Sequence, residues 1–580
     1  MRPRQRRRDN RPRQRTFRGL EPFRLRILAA FAFMFLGFAI IGVSLLSVAL
    51  TPAAEPQDSY QVSVADGHLL RGRLLDATGR VMATSLRVKS LFADPYNIMD
   101  IEEAARKLNS VLPELAADDI RAALSKKRRF VWLKRHLKPQ QVYAVNSLGI
   151  PGLGFREETE RFYPQKDVAA HVLGNVNYRG KGVAGIEKGA QGDLAHGEDV
   201  RLTLDMRLQN ALHNSLEKTM NETEAKGAWG VTLDARTGHI KAMVSLPDYD
   251  ANHFGEAPKK HWLNKTMGGV YEMGSVFKMF TLATAIESED LQLDTLLDCT
   301  RPLEIDGYKI HDLYPRNAWL TAEEVFVHSS NIGAAQIGEM IGADRQQDTL
   351  ARLGLFDQYD SGLGHNASTL APDPYRWGRV QTMSVSFGHG IAVTALQMAA
   401  AARAVLVDGI WRQPTITRDT ERLPPQKVFS PRTVAMMRKL AAAVVDRGTG
   451  TQANIPGYSV GGKTGTSEKN IDGQYVRDKN LASFVGVVPL KNPKLLTFIM
   501  VDEPAEGGGG AVAAPAFRRY TQKALMVLGI PPERGVPALR TFNNINPQHA
   551  NLAPNSGRNL APSLDTGINT RVALANFNQQ

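Results

Sequence analysis

The sequence predicts a mixed α/β protein: a single N-terminal transmembrane helix, a smaller α+β module, and a larger mixed α/β domain. Three observations carry this. Ile27 to Leu50 is a run of 24 residues without a charge. Residues 60–95 alternate apolar and polar as strands do. From Trp229 to about Gly529, apolar helical segments alternate with β-rich ones. At 580 residues the chain is too long for one core and fits three or four folding units of roughly 150 residues.

Residues 1–26 form an arm with eleven Arg against Asp9 and Glu21, so +9 of the formal +13 lies there. The basic character is therefore local, and no nucleic-acid partner is read from it. At 1.5 Å per residue, a helix over 27–50 crosses the ~30 Å hydrocarbon layer. The arginines before it and Glu55 and Asp58 after it place the N-terminus in the cytoplasm and the rest of the chain outside. Ser47-Val48-Ala49 would pass as a signal-cleavage site, but the apolar run exceeds the usual 7–15 residues of a cleaved signal. The expected location is the inner (cytoplasmic) membrane, with a single pass. Cys299 is the only cysteine, which excludes an intrachain disulfide and any cysteine-built metal cluster.

The α+β module is expected over 55–205. Leu74-Leu75-Asp76 and Val81-Met82-Ala83 flank a turn at Ala77-Thr78-Gly79, and Asp100-Ile101-Glu102-Glu103 opens a helix with a capping-box-like pair. Ala104, Leu108 and Val111 share one face of that helix. The larger domain is expected over 226–530. It begins with the hairpin Trp229–Leu233 and His239–Val244, joined by Asp234 to Gly238. Helices over Val276–Ile286, Ala395–Val407 and Thr433–Val445 and strands over Phe484–Val488 and Leu495–Val501 follow. Residues 531–580 open on Pro531-Pro532 and hold nine Asn between Asn543 and Asn578, the composition of a disordered tail.

Gly457 to Thr464 satisfies the phosphate-loop pattern GxxxxGK[ST], and Val501-Asp502-Glu503 imitates a strand ending in a metal-holding acid. The flanks disagree. A phosphate loop needs an apolar strand before it and a helix N-terminus directly after Lys-Thr. Gly448 to Pro456 is polar and turn-rich, and Gly465-Thr466-Ser467-Glu468 does not open a helix. Read as a strand, Lys463 and Gly465 face one way and Thr464 and Thr466 the other. Gly465 then leaves room for something to lie against the strand, and a substrate could pair along that edge.

Upstream, Gly274-Ser275-Val276-Phe277-Lys278 begins a helix that is apolar almost all round. Residues i and i+3 share a face, so Ser275 Oγ and Lys278 Nζ can meet. Burial and a second nearby cation would push the lysine towards a neutral, base-competent form. The Ser275 amide lies at the positive end of the helix, where it can donate to a developing oxyanion. Ser329-Ser330-Asn331 lies about 50 residues on, at a helix end or loop. Lys463-Thr464-Gly465-Thr466 follows about 130 further.

SxxK, SxN and KTGT in this order resemble the penicillin-binding proteins, which share the acyl-transferase fold of the serine β-lactamases. Further boxes resemble the non-catalytic pedestal of class B members: Arg71-Gly72-Arg73, Arg161-Phe162-Tyr163-Pro164 with His171 and Gly174, and Gly185-Ile186-Glu187. No room exists for a glycosyltransferase domain before the transpeptidase. The compact pedestal and Ser329-Ser330-Asn331 are closer to the division-specific, FtsI-type branch than to its elongation counterpart. Met273 stands where the family has Pro, Ala77 at a common Arg and Lys166 at a usual Gly.

The resemblance implies a peptidoglycan D,D-transpeptidase that cross-links stem peptides on lipid-linked nascent strands and is acylated by β-lactams. It implies Ser275 as nucleophile, Lys278 as its base and Ser329 as proton relay. It further implies that Asn331, Lys463, Thr464, Gly465 and Thr466 bind substrate, the Thr466 and Ser275 amides forming the oxyanion hole. The implied partners are an FtsW-type polymerase and other divisome proteins. No cofactor is implied, and no histidine spacing reads as a metal site. Elongation-type transpeptidation, D,D-carboxypeptidase or β-lactamase hydrolysis, and a scaffold role remain as alternatives.

Overall fold

The computed structural model describes residues 31, 34–39, 70–418, 420, 422–471 and 474–533. The expected span over 27–50 lies outside these, apart from residues 31 and 34–39, as do the arginine arm and the tail from 534. Among the described residues no helix is long and apolar enough to cross a membrane.

The smaller domain is a twisted sheet with helices at one end. Its spine is β2 (Val81–Ala93), which follows β1 (Leu74–Leu75) antiparallel through the turn at 77–79. Asp76 fixes that turn, since its Oδ1 accepts from the amides of Thr78 and Arg80. The helix α1 (Ile101–Val111) starts where Asp100 accepts from the Glu103 amide. Glu103 does not return a bond to the cap as expected; its carboxylate pairs with Lys107 one turn on. Two further strands, β3 (Val131–Leu137) and β4 (Leu153–Phe162), both pair with β2. Ala104 and Leu108 face this sheet's core together with Leu91 and Leu137.

The three boxes of the smaller domain converge. Glu187, fully buried, accepts from Arg71 Nε at 2.6 Å and from Arg161 Nε at 2.7 Å. Lys166, at the family's glycine position, has φ +52°, a left-handed conformation that glycine adopts without strain.

The larger domain is built on one antiparallel five-stranded sheet. Its strands are β5 (Gly227–Asp234), β6 (Ile240–Leu246), β7 (Gly461–Ile471), β8 (Gln474–Val488) and β9 (Leu495–Asp502), in spatial order β7-β8-β9-β5-β6. The sheet is buried on both faces, which is why β9 reads as a continuous apolar run. Phe498 and Met500 enter one core; Ile499 and Val501, pointing the opposite way, enter the other with Phe484 and Phe517. β7 is an edge strand. It continues to Ile471 with no helix after Lys463-Thr464, so the phosphate-loop pattern has no loop geometry. Asp502 and Glu503, the imitated metal acids, are ion-paired to Lys469 at 2.8 and 2.7 Å.

Candidate active site

Gly274–Phe277 forms a single 3-10 turn, and the α-helix proper, α2 (Lys278–Glu287), starts two residues later than the expected Val276. The tighter winding places i and i+3 side chains in eclipse. Ser275 Oγ and Lys278 Nζ are 2.7 Å apart. Every residue of α2 from Lys278 to Ile286 is buried, so the amine sits on a helix wholly inside the domain.

The SxN segment joins two helices. α3 (Ala322–His328) begins with a full Thr321/Glu324 capping box and ends at Ser329, whose φ of +64° and ψ of +39° are left-handed. Ser330 then caps α4 (Asn331–Arg352), its Oγ accepting from the Gly333 amide. For a non-glycine residue the αL conformation costs about 1–3 kcal/mol and persists only where surroundings enforce it. Here the strained turn aims the Ser329 carbonyl and hydroxyl at Lys278 Nζ, at 2.7 and 3.2 Å.

Asn331 Oδ1 is 2.7 Å from Lys278 Nζ, and its Nδ2 donates to the His311 carbonyl at 2.9 Å. That second bond fixes the carboxamide orientation, because a flipped amide would set oxygen against oxygen. Lys278 Nζ therefore faces two acceptors that cannot donate, the Ser329 carbonyl and Asn331 Oδ1. A neutral amine gives its two hydrogens to these and keeps its lone pair for the Ser275 hydroxyl. Burial, with the Lys463 ammonium, holds the Lys278 amine well below its ordinary range, while Asp312 pulls the other way.

Lys463 approaches from β7, where Nζ donates to Ser329 Oγ at 2.9 Å. Its side chain is fully buried against the Phe326 ring, and burial lowers its pKa to about 7. Lys463, Gly465 and Ser467 share the face turned to the nucleophile's turn, as the alternation predicted. Ser467 Oγ donates to the Glu272 carbonyl at 2.8 Å.

The side-chain space at Gly465 is filled by the fold itself. A Cβ there would meet Ser483 Oγ at 2.4 Å, the Met273 carbonyl at 2.7 Å and Val276 Cγ2 at 2.7 Å. What lies against Gly465 is the turn carrying Ser275. On the other face Thr464 Oγ1 is 2.6 Å from Thr449 Oγ1, and Thr466 Oγ1 accepts from the Gly509 amide at 3.1 Å.

The structure thus brings Ser275, Lys278, Ser329, Asn331 and Lys463 into one hydrogen-bonded cluster, with Thr464 and Thr466 on the adjoining strand. Two contributors went unpredicted. Thr449 extends the row of hydroxyls, and Asp312 accepts from the Asn331 amide, the Ile332 amide and Ser330 Oγ at 2.6, 3.0 and 2.8 Å. Neither has a local pattern that marks it. The described residues also gather Asp167, His213 and Asp248, where His213 Nε2 pairs with Asp248 at 2.8 Å.

Known proteins resemble this chain over both of its domains. Residues 228–522 match the family model of the penicillin-binding protein transpeptidase domain, and residues 69–198 that of the penicillin-binding protein dimerisation domain. The chain is 34% identical over 537 residues to the probable peptidoglycan D,D-transpeptidase FtsI of Caulobacter vibrioides, covering 87% of this chain and 89% of that one. It is 30% identical over 502 residues to the peptidoglycan D,D-transpeptidase FtsI of Escherichia coli K12, covering 80% and 84%. Among solved structures, penicillin-binding protein 3 of Mycobacterium tuberculosis in complex with aztreonam aligns with a TM-score of 0.64 at 25% identity, covering 81% of this chain and 98% of that one.

Proposed function

Because the chain belongs to the penicillin-binding protein transpeptidase family, in its class B, FtsI-type branch, we propose that the Ser275 cluster performs the acyl transfer of a peptidoglycan D,D-transpeptidase. The observation that carries this is the placing of Lys278 Nζ 2.7 Å from Ser275 Oγ and equally 2.7 Å from the Ser329 carbonyl and Asn331 Oδ1.

Ser275 Oγ attacks the carbonyl carbon of the penultimate D-Ala of a stem peptide, and its proton passes to Lys278 Nζ. The amides of Ser275 and Thr466 stabilise the oxyanion. As the tetrahedral intermediate collapses, the C–N bond breaks and the leaving D-Ala amine takes the proton through Ser329 Oγ, which touches both lysines. Asn331 meets the substrate amide; Lys463, Thr464 and Thr466 meet its carboxylate. An amine from a neighbouring strand then attacks the ester, forming the cross-link and releasing Ser275. A β-lactam places its amide and carboxylate in the same positions and leaves a slowly released acyl-enzyme.

The same reading sets the catalytic domain outside the inner membrane, held by the 27–50 segment with the arginine arm in the cytoplasm. The uncharged run and the charge asymmetry around it support this. It also assigns the enzyme to the division septum, beside an FtsW-type polymerase and other divisome proteins, the smaller domain serving as docking pedestal. Support comes from the division-type relatives.

The test is the full-length chain supplied with polymerised lipid-linked strands. Mass spectrometry should find D-Ala release matched by cross-linked dimers, both absent in Ser275→Ala. D-Ala release without dimers would assign hydrolysis instead. Depletion in cells should give filaments; rounded cells would place the enzyme in elongation.

A further inference from the structure

Asp312 lies in the loop before the strand at 318–321, outside every motif of the site, yet it is nine-tenths buried and fully engaged. Its Oδ1 accepts from two successive amides at the start of α4, Asn331 and Ile332, and its Oδ2 accepts from Ser330 Oγ. The preceding residue adds a fourth bond, the His311 carbonyl receiving Asn331 Nδ2. Four contacts from two adjacent loop residues thus grip the segment that strains Ser329 and aims Asn331 Oδ1.

We propose that Asp312 is a positioning residue for acylation: by clamping Ser330 to Ile332 it sets the Ser329 carbonyl and the Asn331 carboxamide that orient the Lys278 amine towards Ser275. This rests on the assignment of Lys278 as base.

The carboxylate also has an electrostatic consequence. Lys463 from β7 and Asp312 from its loop bear on the charge of Lys278, while His389, in the loop after the helix at 379–385, is held towards its neutral form mainly by burial, with Glu272 opposing and Lys278 adding to that shift. Lys463 disfavours the ammonium and Asp312 favours it. The negative charge therefore keeps the base protonated to a higher pH than the two lysines alone would allow. A merely structural clamp would not have that effect.

Two substitutions in the full-length enzyme separate these parts. In Asp312→Asn the Oδ1 contacts are kept, and Nδ2 can donate to Ser330 Oγ while that hydroxyl turns towards Cys299 Sγ, 3.4 Å away. The second-order rate of acylation by a fluorescent penicillin, measured across pH on folded protein, should keep its plateau within a few-fold. Its acid limb should move down by on the order of one pH unit. Asp312→Ala loses both clamp and charge, and its plateau should fall ~10–100-fold, as misplacement by about 1 Å does. An unmoved acid limb in Asp312→Asn, or a wild-type rate in Asp312→Ala, would overturn the proposal. Should the Ala variant not fold, the pH profile of the Asn variant decides alone. Loss of all labelling in Ser275→Ala but not in Lys278→Met would instead remove the premise that Lys278 is the base.

Discussion

Ser329 presents both its carbonyl and its hydroxyl to the Lys278 amine, at 2.7 and 3.2 Å, from a left-handed backbone that no glycine relieves. The two groups do different things. The carbonyl orients the base, and the hydroxyl links it to Lys463.

Ser329→Gly therefore keeps the carbonyl and relaxes the turn while deleting the relay. Acylation should slow by ~10²–10⁴, the usual contribution of a proton-transfer group, with no loss of Tm. Ser329→Ala should slow it equally. Stopped-flow β-lactam acylation alongside thermal unfolding checks both, and a glycine variant that acylates at the wild-type rate would remove Ser329 from the proton path.

Burial of Lys463 makes stability depend on pH. Its pKa is about 7 in the fold against an ordinary value of 10.5, so between these limits the unfolded chain binds more protons than the folded one. Stability from this group consequently rises with pH from about 7 towards 10 and is lowest below 7. Lys463→Met should raise Tm at pH 7, with a gain that shrinks by pH 10, while abolishing turnover. A constant Tm difference across that range would show that the ammonium carries no burial penalty.

Gly465 is held against the turn of the nucleophile, not against open space. Gly465→Ala drives a Cβ into the Met273 carbonyl, and Ser275 is two residues further on. Acylation should fall ~10²-fold for a displacement near 1 Å, with the sheet intact by circular dichroism. A wild-type rate would show that the turn can yield at no catalytic cost.

Glu187 is the shared ion-pair partner of two buried guanidinium groups in the smaller domain. Removing it in Glu187→Ala leaves both charges unpaired, at a cost of about 3–5 kcal/mol. Denaturant unfolding should show this loss, while folded protein still labels at Ser275 with penicillin.

Much of this site was legible because its chemistry is local in sequence. The SxxK spacing alone put Ser275 and Lys278 on one face, and strand alternation alone put Lys463 and Gly465 together. Residues that act across long separations left no such trace. Asp312 is bound to the start of α4 by the fold, 19 residues on, and nothing in His311-Asp312-Leu313 anticipates it. Thr449 meets Thr464 only because the segment after the helix at 431–447 runs beside β7. Gly465 was legible as a point of close approach, but the turn carrying Ser275 that fills the space was not, since period-2 alternation says which way a side chain points and not what stands there.

The most direct measurement is peptide mapping of the full-length chain by mass spectrometry after penicillin treatment. The account predicts a single adduct of the drug's mass on the peptide holding residue 275, abolished in Ser275→Ala. An adduct on any other residue, or an unmodified serine after labelling to completion, would contradict it.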